Sequence, residues 1–193
     1  MWGDIAIAYV LAFITTFVIT PYTIKLATKI GAVDTPKDAR RINKITMPRL
    51  GGLAIIAGFL ISIVYLLIIL SIEKTINLLE DNNYMKLLGF LIGGLIISIV
   101  CFIDDLKDLP PMVKLVAQIL AAIVVVSFGL RIENINIPFL YKIGLPNAFS
   151  IILTIGWIVG ITNAINLIDG LDGLSSGVAL ISCVSMLVIF ALN

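Results

Sequence analysis

Four side chains with oxygen atoms that can bind ligands recur at every third position late in the chain. They are Asn163, Asn166, Asp169 and Asp172, and apolar residues lie between them. On a helix this spacing stacks them along one slowly drifting face. Hard oxygen ligands of this kind suit Mg²⁺ or Mn²⁺. Because polar residues in a membrane helix usually serve a function, we predict a metal or substrate site here, in preference to hydrogen bonds that only hold helices together.

Two adjacent carboxylates, Asp104 and Asp105, end the third apolar run of the chain. Like charges so close repel each other, and proteins tolerate them where a cation lies nearby. The pair is therefore a second candidate for metal binding. A solvated helix end, whose aspartates only terminate a membrane span, explains the pair equally well.

A cationic segment precedes the second apolar run and ends in Arg49, Gly51 and Gly52. A helix N-terminus with nearby glycines and an arginine is an anion site, and arginine can hold a phosphate through two hydrogen bonds. We therefore predict phosphate contact at Arg49. For Lys25 and Lys29, a role that only sets the membrane orientation is the better explanation.

The composition indicates that lipid is the solvent for most of the chain. Of 193 residues, 60% are hydrophobic and 13% are charged, against about a quarter charged in soluble domains. The net charge of +1 gives no indication about a nucleic-acid partner. The sequence has no basic tail and no alternation of aromatic and basic residues, so no nucleic-acid partner is expected. The chain has no histidine, so acid–base or metal chemistry must come from Asp, Glu, Lys, Tyr or Asn. Cys101 and Cys183 lie in apolar runs and are predicted to be small buried apolar residues, not a disulfide or a metal pair.

Apolar runs of about 20 residues predict an all-α membrane protein with about six transmembrane helices in one polytopic domain, residues 1–193. The runs cover residues 5–24, 50–72, 87–103, 115–130, 149–167 and 174–192. The first run is too long for a signal-peptide core. The last run continues to the end of the sequence without a polar tail, which we interpret as a chain cut at the end of a helix. Alternating apolar and polar residues within 131–147 predict a small extracytoplasmic strand or hairpin.

The basic residues predict the orientation, because cytoplasmic segments carry an excess of lysine and arginine. The connections after the first and third runs carry nine of these residues, and the opposite side carries four. This places the N-terminus outside and three polar segments, 34–52, 104–114 and 163–173, together on the cytoplasmic face. Carboxylates, cations and a glycine-rich helix start on one face are what an enzyme acting on a phosphorylated nucleotide at the membrane needs.

The three segments resemble the polyprenyl-phosphate N-acetylhexosamine-1-phosphate transferases. The matching motifs are Asp34-Thr-Pro36, Pro48-Arg49-Leu-Gly51-Gly52, Phe102 through Asp108, and Asn163 through Gly173. The resemblance implies transfer of a sugar-1-phosphate from a UDP-sugar to a polyprenyl phosphate, such as undecaprenyl phosphate, with release of UMP. It implies cell-wall or surface-glycan synthesis at the bacterial cytoplasmic membrane and is compatible with a homodimer. The Pro-Arg-Leu-Gly-Gly form is more similar to the N-acetylglucosamine branch than to the muramoyl-pentapeptide branch.

The resemblance also implies a magnesium-dependent site, with Mn²⁺ as an alternative, in which the metal bridges the pyrophosphate of the UDP-sugar. The implied metal residues are Asp105, Asn166 and Asp169. Asp104 is the implied base that activates the lipid phosphate, and Asp172 is implied to support the nucleotide side of the substrate. The implied catalytic residues are Asp104, Asp105, Asp169 and Asp172. Direct in-line displacement and a covalent enzyme intermediate both remain open.

The residues implied to bind substrate have cationic side chains, amide side chains or, for glycine, an exposed backbone that phosphate can approach. They are Arg49, Gly51, Gly52, Lys107, Lys114, Asn163 and Asn166. Two features depart from the family pattern. Asn43 replaces the usual histidine and can only hydrogen-bond, and the family's later spans, with a further aspartate and a histidine-rich loop, are not among these residues.

Two other classes of function are compatible with the same features. The chain could be an inactive fragment of such an enzyme, with no affinity for Mg²⁺ or a UDP-sugar. An ion-coupled transporter can also hold carboxylates within its spans, but it predicts them near the middle of the membrane and an inverted repeat. Here the carboxylates lie at the ends of spans, which favours the enzyme.

Overall fold

A computed structural model of the protein describes residues 2–35, 46–73, 83–136, 142–171 and 173–192. Within these ranges the chain forms six helices. They are α1 (Trp2–Ile30), α2 (Gly51–Glu73), α3 (Asn83–Lys107), α4 (Pro111–Ser127), α5 (Asn147–Ile168) and α6 (Leu174–Leu192). The strands are short, and the predicted all-α membrane fold is confirmed.

Five of the six helices in the described ranges are long and apolar enough to cross a membrane, as expected of a multi-pass membrane protein. The exception is α4, whose 17 residues extend about 25 Å, less than the roughly 30 Å of a hydrocarbon core. Its predicted span, 115–130, is displaced from the observed helix. Pro110 and Pro111 lie at the start of α4, where the missing N–H group of proline costs no helical hydrogen bond. Gly129 follows the end of the helix and has a φ of +89°.

Glycines allow the helices to approach closely at two crossings. A Cβ atom on Gly58 of α2 would overlap Thr16 Oγ1 of α1, and one on Gly93 of α3 would overlap Val125 Cγ2 of α4. Small residues at such positions bring helix backbones together in a membrane. As a result α1 packs closely on α2, and α3 on α4. In addition α4 packs on α5, whereas α6 makes fewer contacts with α5.

A small apolar core joins the α1–α2 pair to α3. Ala27, Ala32 and Leu50 are buried, and Leu53 and Phe102 pack against them. Phe59 of α2 and Phe90 of α3 also meet edge to face, with ring centroids 6.2 Å apart. These contacts connect the first two helices to the rest of the bundle.

Both cysteines are exposed free thiols, so the prediction that they are buried was wrong. Many large apolar side chains of the helices are exposed in the same way. The reason is that lipid can solvate an apolar helix face, so an apolar side chain in a thin membrane bundle need not be covered by protein.

Two short antiparallel strand pairs lie in the connections. β1 (Val33–Asp34) pairs with β2 (Met47–Pro48) between α1 and α2. β3 (Asn134–Asn136) pairs with β4 (Lys142–Gly144) between α4 and α5, which confirms the predicted hairpin.

Buried hydroxyl groups of α5 hold the segment that leads into β3. The Ser150 hydroxyl donates a hydrogen bond to the Ile132 carbonyl at 2.6 Å, and the Ile132 N–H donates to Thr154 Oγ1 at 2.9 Å. Ser150 and Thr154 are only 2% and 5% exposed, so these bonds satisfy backbone groups that water would not reach.

Two adjacent glycines of α3 provide a test of the α3–α4 packing. We expect Gly93→Ala to destabilise the protein by about 1–3 kcal/mol, because the added methyl group must push α4 away. Gly94→Ala is the matched control: no described atom lies within 4 Å of the new methyl group, so stability should stay the same or rise slightly. Unfolding by SDS in mixed micelles measures both, and equal stability of the two variants would contradict the packing described.

Candidate active site

A cavity of about 430 Å³ lies between the ends of α3, α4 and α5. Its wall is partly apolar, formed by residues such as Ile97, Val100 and Ile165. Its polar lining comprises Cys101, Asp104, Lys114, Gln118, Thr162, Asn163, Asn166 and Asp169. The tertiary structure thus brings together five of the predicted site residues from three helices.

Asp104 is held by two hydrogen-bond donors that lie beyond it in the sequence. Its Oδ2 atom forms an ion pair with Lys114 Nζ at 2.6 Å, and its Oδ1 atom accepts the Leu109 N–H at 2.8 Å. Asp108, with a φ of 47°, ends α3 in the left-handed conformation that aspartate tolerates. The turn from α3 into α4 is therefore built around the Asp104 carboxylate.

The residues spaced by three on α5 share one face of the helix, as predicted. Asn163, Asn166 and Asp169 all line the cavity, and Asp169 occupies the C-cap of α5. Within the described part of the chain, the Asp169 and Asn166 side chains form no hydrogen bond or ion pair, and both residues are exposed. Their oxygen atoms are therefore open to a ligand. Asp172 and Asn43 lie outside the described residues.

Asp105 does not line the cavity, although it follows Asp104 directly. Successive residues of a helix point about 100° apart, so only one of two adjacent carboxylates can face α4 and α5. Asp105 is half-buried and lies within electrostatic reach of Asp104 and Asp169, and of the cations Arg49 and Lys114. It can thus influence the charge of the cavity without lining it.

Arg49 connects the start of α2 to the end of α3. Its Nη2 atom lies 3.2 Å from Asp34 Oδ1, and its Nη1 atom donates to Asp108 Oδ1. The hydrogen bond and charge of Asp108, with a smaller contribution from Asp34, raise the pKa of Arg49. Arg49 is not part of the cavity wall, and phosphate contact by this residue stays a prediction.

The other residues that we predicted to contact phosphate lie outside the cavity, at the same end of the bundle. Gly51 and Gly52 are exposed at the first turn of α2, and no described atom lies within 4 Å of the position of a Cβ atom on either. Lys107 is exposed at the end of α3 and does not line the cavity. The open backbone of the two glycines is compatible with the predicted anion contact.

The cavity lining fits a hard divalent cation. Among the described residues, no group of three or more Asp, Glu, Cys or His side chains is close enough to hold an ion. Mg²⁺ usually takes one or two carboxylates and completes its shell with water and substrate phosphates. Asp104 and Asp169, with carboxamide oxygens from Asn163 and Asn166, provide that donor chemistry in one cavity.

Gln118 was missed by the sequence analysis. It lines the cavity, and its Oε1 atom accepts a hydrogen bond from Asn163 Nδ2 at 2.5 Å. A signal was present, because Gln118 is the one glutamine of the chain and lies four residues after Lys114 in an apolar segment. That spacing places both side chains on the same helix face.

The fold and the cavity define a multi-pass membrane protein with a partly polar cavity at the ends of its helices. A family model described as "Glycosyl transferase family 4" matches residues 87–193, which is more than half of the chain. The chain belongs to this family, and the resemblance predicted from its motifs is confirmed.

Similar proteins carry related names. The chain is 37% identical to a "Probable undecaprenyl-phosphate N-acetylglucosaminyl 1-phosphate transferase" of Bacillus subtilis, over 98% of this chain and 49% of the relative. It is 33% identical to a "Decaprenyl-phosphate N-acetylglucosaminephosphotransferase" of Mycobacterium tuberculosis, over 95% and 44%. It is 32% identical to a "Phospho-N-acetylmuramoyl-pentapeptide-transferase" of Staphylococcus haemolyticus, over 89% and 56%. The chain thus spans about half the length of these relatives. No solved structure matches it.

The Arg49–Asp108 contact can be tested by a double-mutant cycle. We expect Arg49→Met and Asp108→Asn to show a coupling of about 0.5 kcal/mol, a small value because the Asp108 side chain is 77% exposed. Unfolding in mixed micelles measures the cycle. Lys107→Met is the control: it removes a neighbouring exposed cation and should show no coupling with Asp108→Asn. Additive effects of the Arg49 and Asp108 changes would contradict the contact between the start of α2 and the end of α3.

Proposed function

We propose that this protein transfers a sugar-1-phosphate, N-acetylglucosamine-1-phosphate in particular, from a UDP-sugar to a polyprenyl phosphate and releases UMP. The observation that carries the proposal is the cavity in which carboxylates, carboxamides and Lys114 converge from three membrane helices. Such a cavity can meet a water-soluble nucleotide sugar and a lipid phosphate at the same place. The names of the relatives support this substrate pair, and two of the three name an N-acetylglucosamine phosphate transferase.

In this proposal the described chain forms the front half of a single polytopic domain, and each cavity residue has a chemical task. Asp104 accepts the proton of the lipid phosphate, whose oxygen then attacks the sugar-bearing phosphorus of the UDP-sugar. The bond between that phosphorus and the oxygen bridging to UMP breaks. Lys114, which pairs with Asp104 at 2.6 Å, is placed to exchange this partner for a phosphate oxygen and so free the carboxylate.

The remaining polar residues hold charge in place during the transfer. Mg²⁺, held by Asp169 and Asn166 with Asp105 nearby, would neutralise pyrophosphate charge when bound. Arg49 and Lys107, at the rim, attract phosphate groups toward the cavity. A direct displacement and a two-step route through a phosphorylated carboxylate use the same residues, and trapping of a phosphorylated enzyme distinguishes them.

The proposed location is the bacterial cytoplasmic membrane, with the N-terminus outside and the cavity on the cytoplasmic face. The distribution of lysine and arginine supports it, because nine of these residues lie on the cavity side and four on the other.

A UMP-release assay tests the proposed reaction. It contains UDP-N-acetylglucosamine, undecaprenyl phosphate and Mg²⁺, and it is run on this chain and on a fusion of this chain to the second half of the Bacillus subtilis relative. We expect Asp169→Asn to lower turnover by about 100-fold or more in the active form, because an open carboxylate of the cavity is lost.

Glu133→Gln is the matched control, because it removes one carboxylate from the hairpin connection at the other end of the bundle, where it pairs with Arg131. This variant should keep full turnover. UMP release by neither form, or release that Asp169→Asn leaves unchanged, would contradict the proposed reaction.

The orientation is tested by labelling single cysteines with a maleimide that does not cross membranes. In a chain carrying Cys101→Ala and Cys183→Ala, Glu133→Cys should react in intact bacterial cells. Lys107→Cys should react only after the cells are opened. Both positions are exposed in the structure, so access depends on the side of the membrane alone. The opposite labelling pattern would overturn the proposed orientation.

A further inference from the structure

A chain of amide hydrogen bonds crosses from α5 to α4 at the cavity. Asn163 Nδ2 donates to the Val159 carbonyl oxygen at 2.8 Å and to Gln118 Oε1 at 2.5 Å. Both Asn163 and Gln118 line the cavity and are partly buried. The bond therefore joins the helix that carries Lys114 to the helix that carries Asn166 and Asp169.

The chemistry of these partners determines the orientation of both amides. A backbone carbonyl can only accept a hydrogen bond, so the group that Asn163 turns to Val159 must be its NH₂. This NH₂ has two hydrogens, and the second is donated to Gln118. Gln118 must then present its oxygen to Asn163, which directs the Gln118 NH₂ elsewhere.

As a consequence, Asn163 Oδ1 and Gln118 Nε2 are the side-chain atoms that remain available to a ligand. Both hydrogens of the Asn163 amide are used, so Asn163 Oδ1 is the atom left to accept a hydrogen bond or to bind a cation. The Gln118 Nε2 hydrogens are left to donate. If the Gln118 contact were lost, the Asn163 amide would be held by one bond instead of two.

We propose that Gln118 is a positioning residue that orients the Asn163 carboxamide, so that Asn163 presents its oxygen to the substrate or its metal. The substrate part of this inference rests on the proposed function. The orientation part rests only on the contacts among Val159, Asn163 and Gln118. The two parts can therefore be tested separately.

The orientation can be read from a single nuclear magnetic resonance signal. Because Gln118 is the only glutamine, a chain made by cell-free synthesis with ¹⁵N in the glutamine side chain shows one NH₂ pair. We expect Asn163→Leu to shift this pair, because Gln118 Oε1 loses its donor. Asn163→Ser is the second variant: its hydroxyl can still bond the Val159 carbonyl but is too short to replace the amide at Gln118. Ser127→Ala, at the far end of α4, is the control and should leave the pair in place.

The functional part is a double-mutant cycle on UMP release, using Gln118→Met, Asn163→Leu and both together. Methionine keeps the length and helix preference of glutamine but removes its polar atoms. We expect each single variant to lower kcat/KM by about tenfold, the typical effect of losing a partly buried hydrogen bond. The double variant should be no slower than the slower single variant, because Gln118 acts through Asn163. Addition of UDP-N-acetylglucosamine should also shift the Gln118 signal.

The outcomes separate the two parts of the inference. A Gln118 signal that neither Asn163 variant moves overturns the orientation, whatever the activity. Losses that multiply in the double variant overturn the action of Gln118 through Asn163. If neither the unsubstituted chain nor its fusion to the second half of the Bacillus subtilis relative releases UMP, the proposed function fails. The effect of the Asn163 variants on the Gln118 signal of this chain still decides whether Gln118 orients Asn163.

Discussion

A charged side chain at the centre of a bilayer costs on the order of 3 kcal/mol, so an apolar helix can carry a carboxylate only near its end or beside a partner that neutralises it. Asp104 meets both conditions. It lies at the end of α3, pairs with Lys114 and accepts the Leu109 N–H, which builds the turn into α4. Because α4 packs on α5, the same ion pair also sets where Asn163, Asn166 and Asp169 lie relative to α3.

The candidate site is therefore a consequence of how the helix ends are joined. Each joint uses a polar contact that bridges two elements: Lys114 joins α4 to α3, Arg49 joins α2 to α3, and Gln118 joins α4 to α5. In the proposed reaction, one of these groups has both a structural and a chemical task. This group is Lys114: it pairs with Asp104 in the α3–α4 turn, and it is the cavity cation that we propose meets a substrate phosphate.

The apolar surface of the bundle has a role complementary to that of the cavity. Phe17, Trp157 and Phe190 are examples of large apolar side chains that are exposed, and a lipid environment can solvate such side chains. In the proposed orientation, the cavity at the end of such a bundle borders on both water and lipid. In the proposed reaction the nucleotide sugar comes from the water side and the polyprenyl phosphate from the lipid side, so neither substrate has to leave its own solvent.

The sequence by itself determined the features that depend on local pattern: the apolar helices, the hairpin before α5, and the shared face of Asn163, Asn166 and Asp169. The helices follow from apolar runs long enough to cross a membrane, and the hairpin follows from alternating apolar and polar residues. The shared face follows from a spacing of about one helix turn. The tertiary structure alone decided which of Asp104 and Asp105 faces the cavity, which carboxylates hold Arg49, and that Gln118 meets Asn163. Those contacts join residues up to 59 positions apart, and they depend on how each helix is rotated against its neighbour, which the spacing of residues along one helix does not specify.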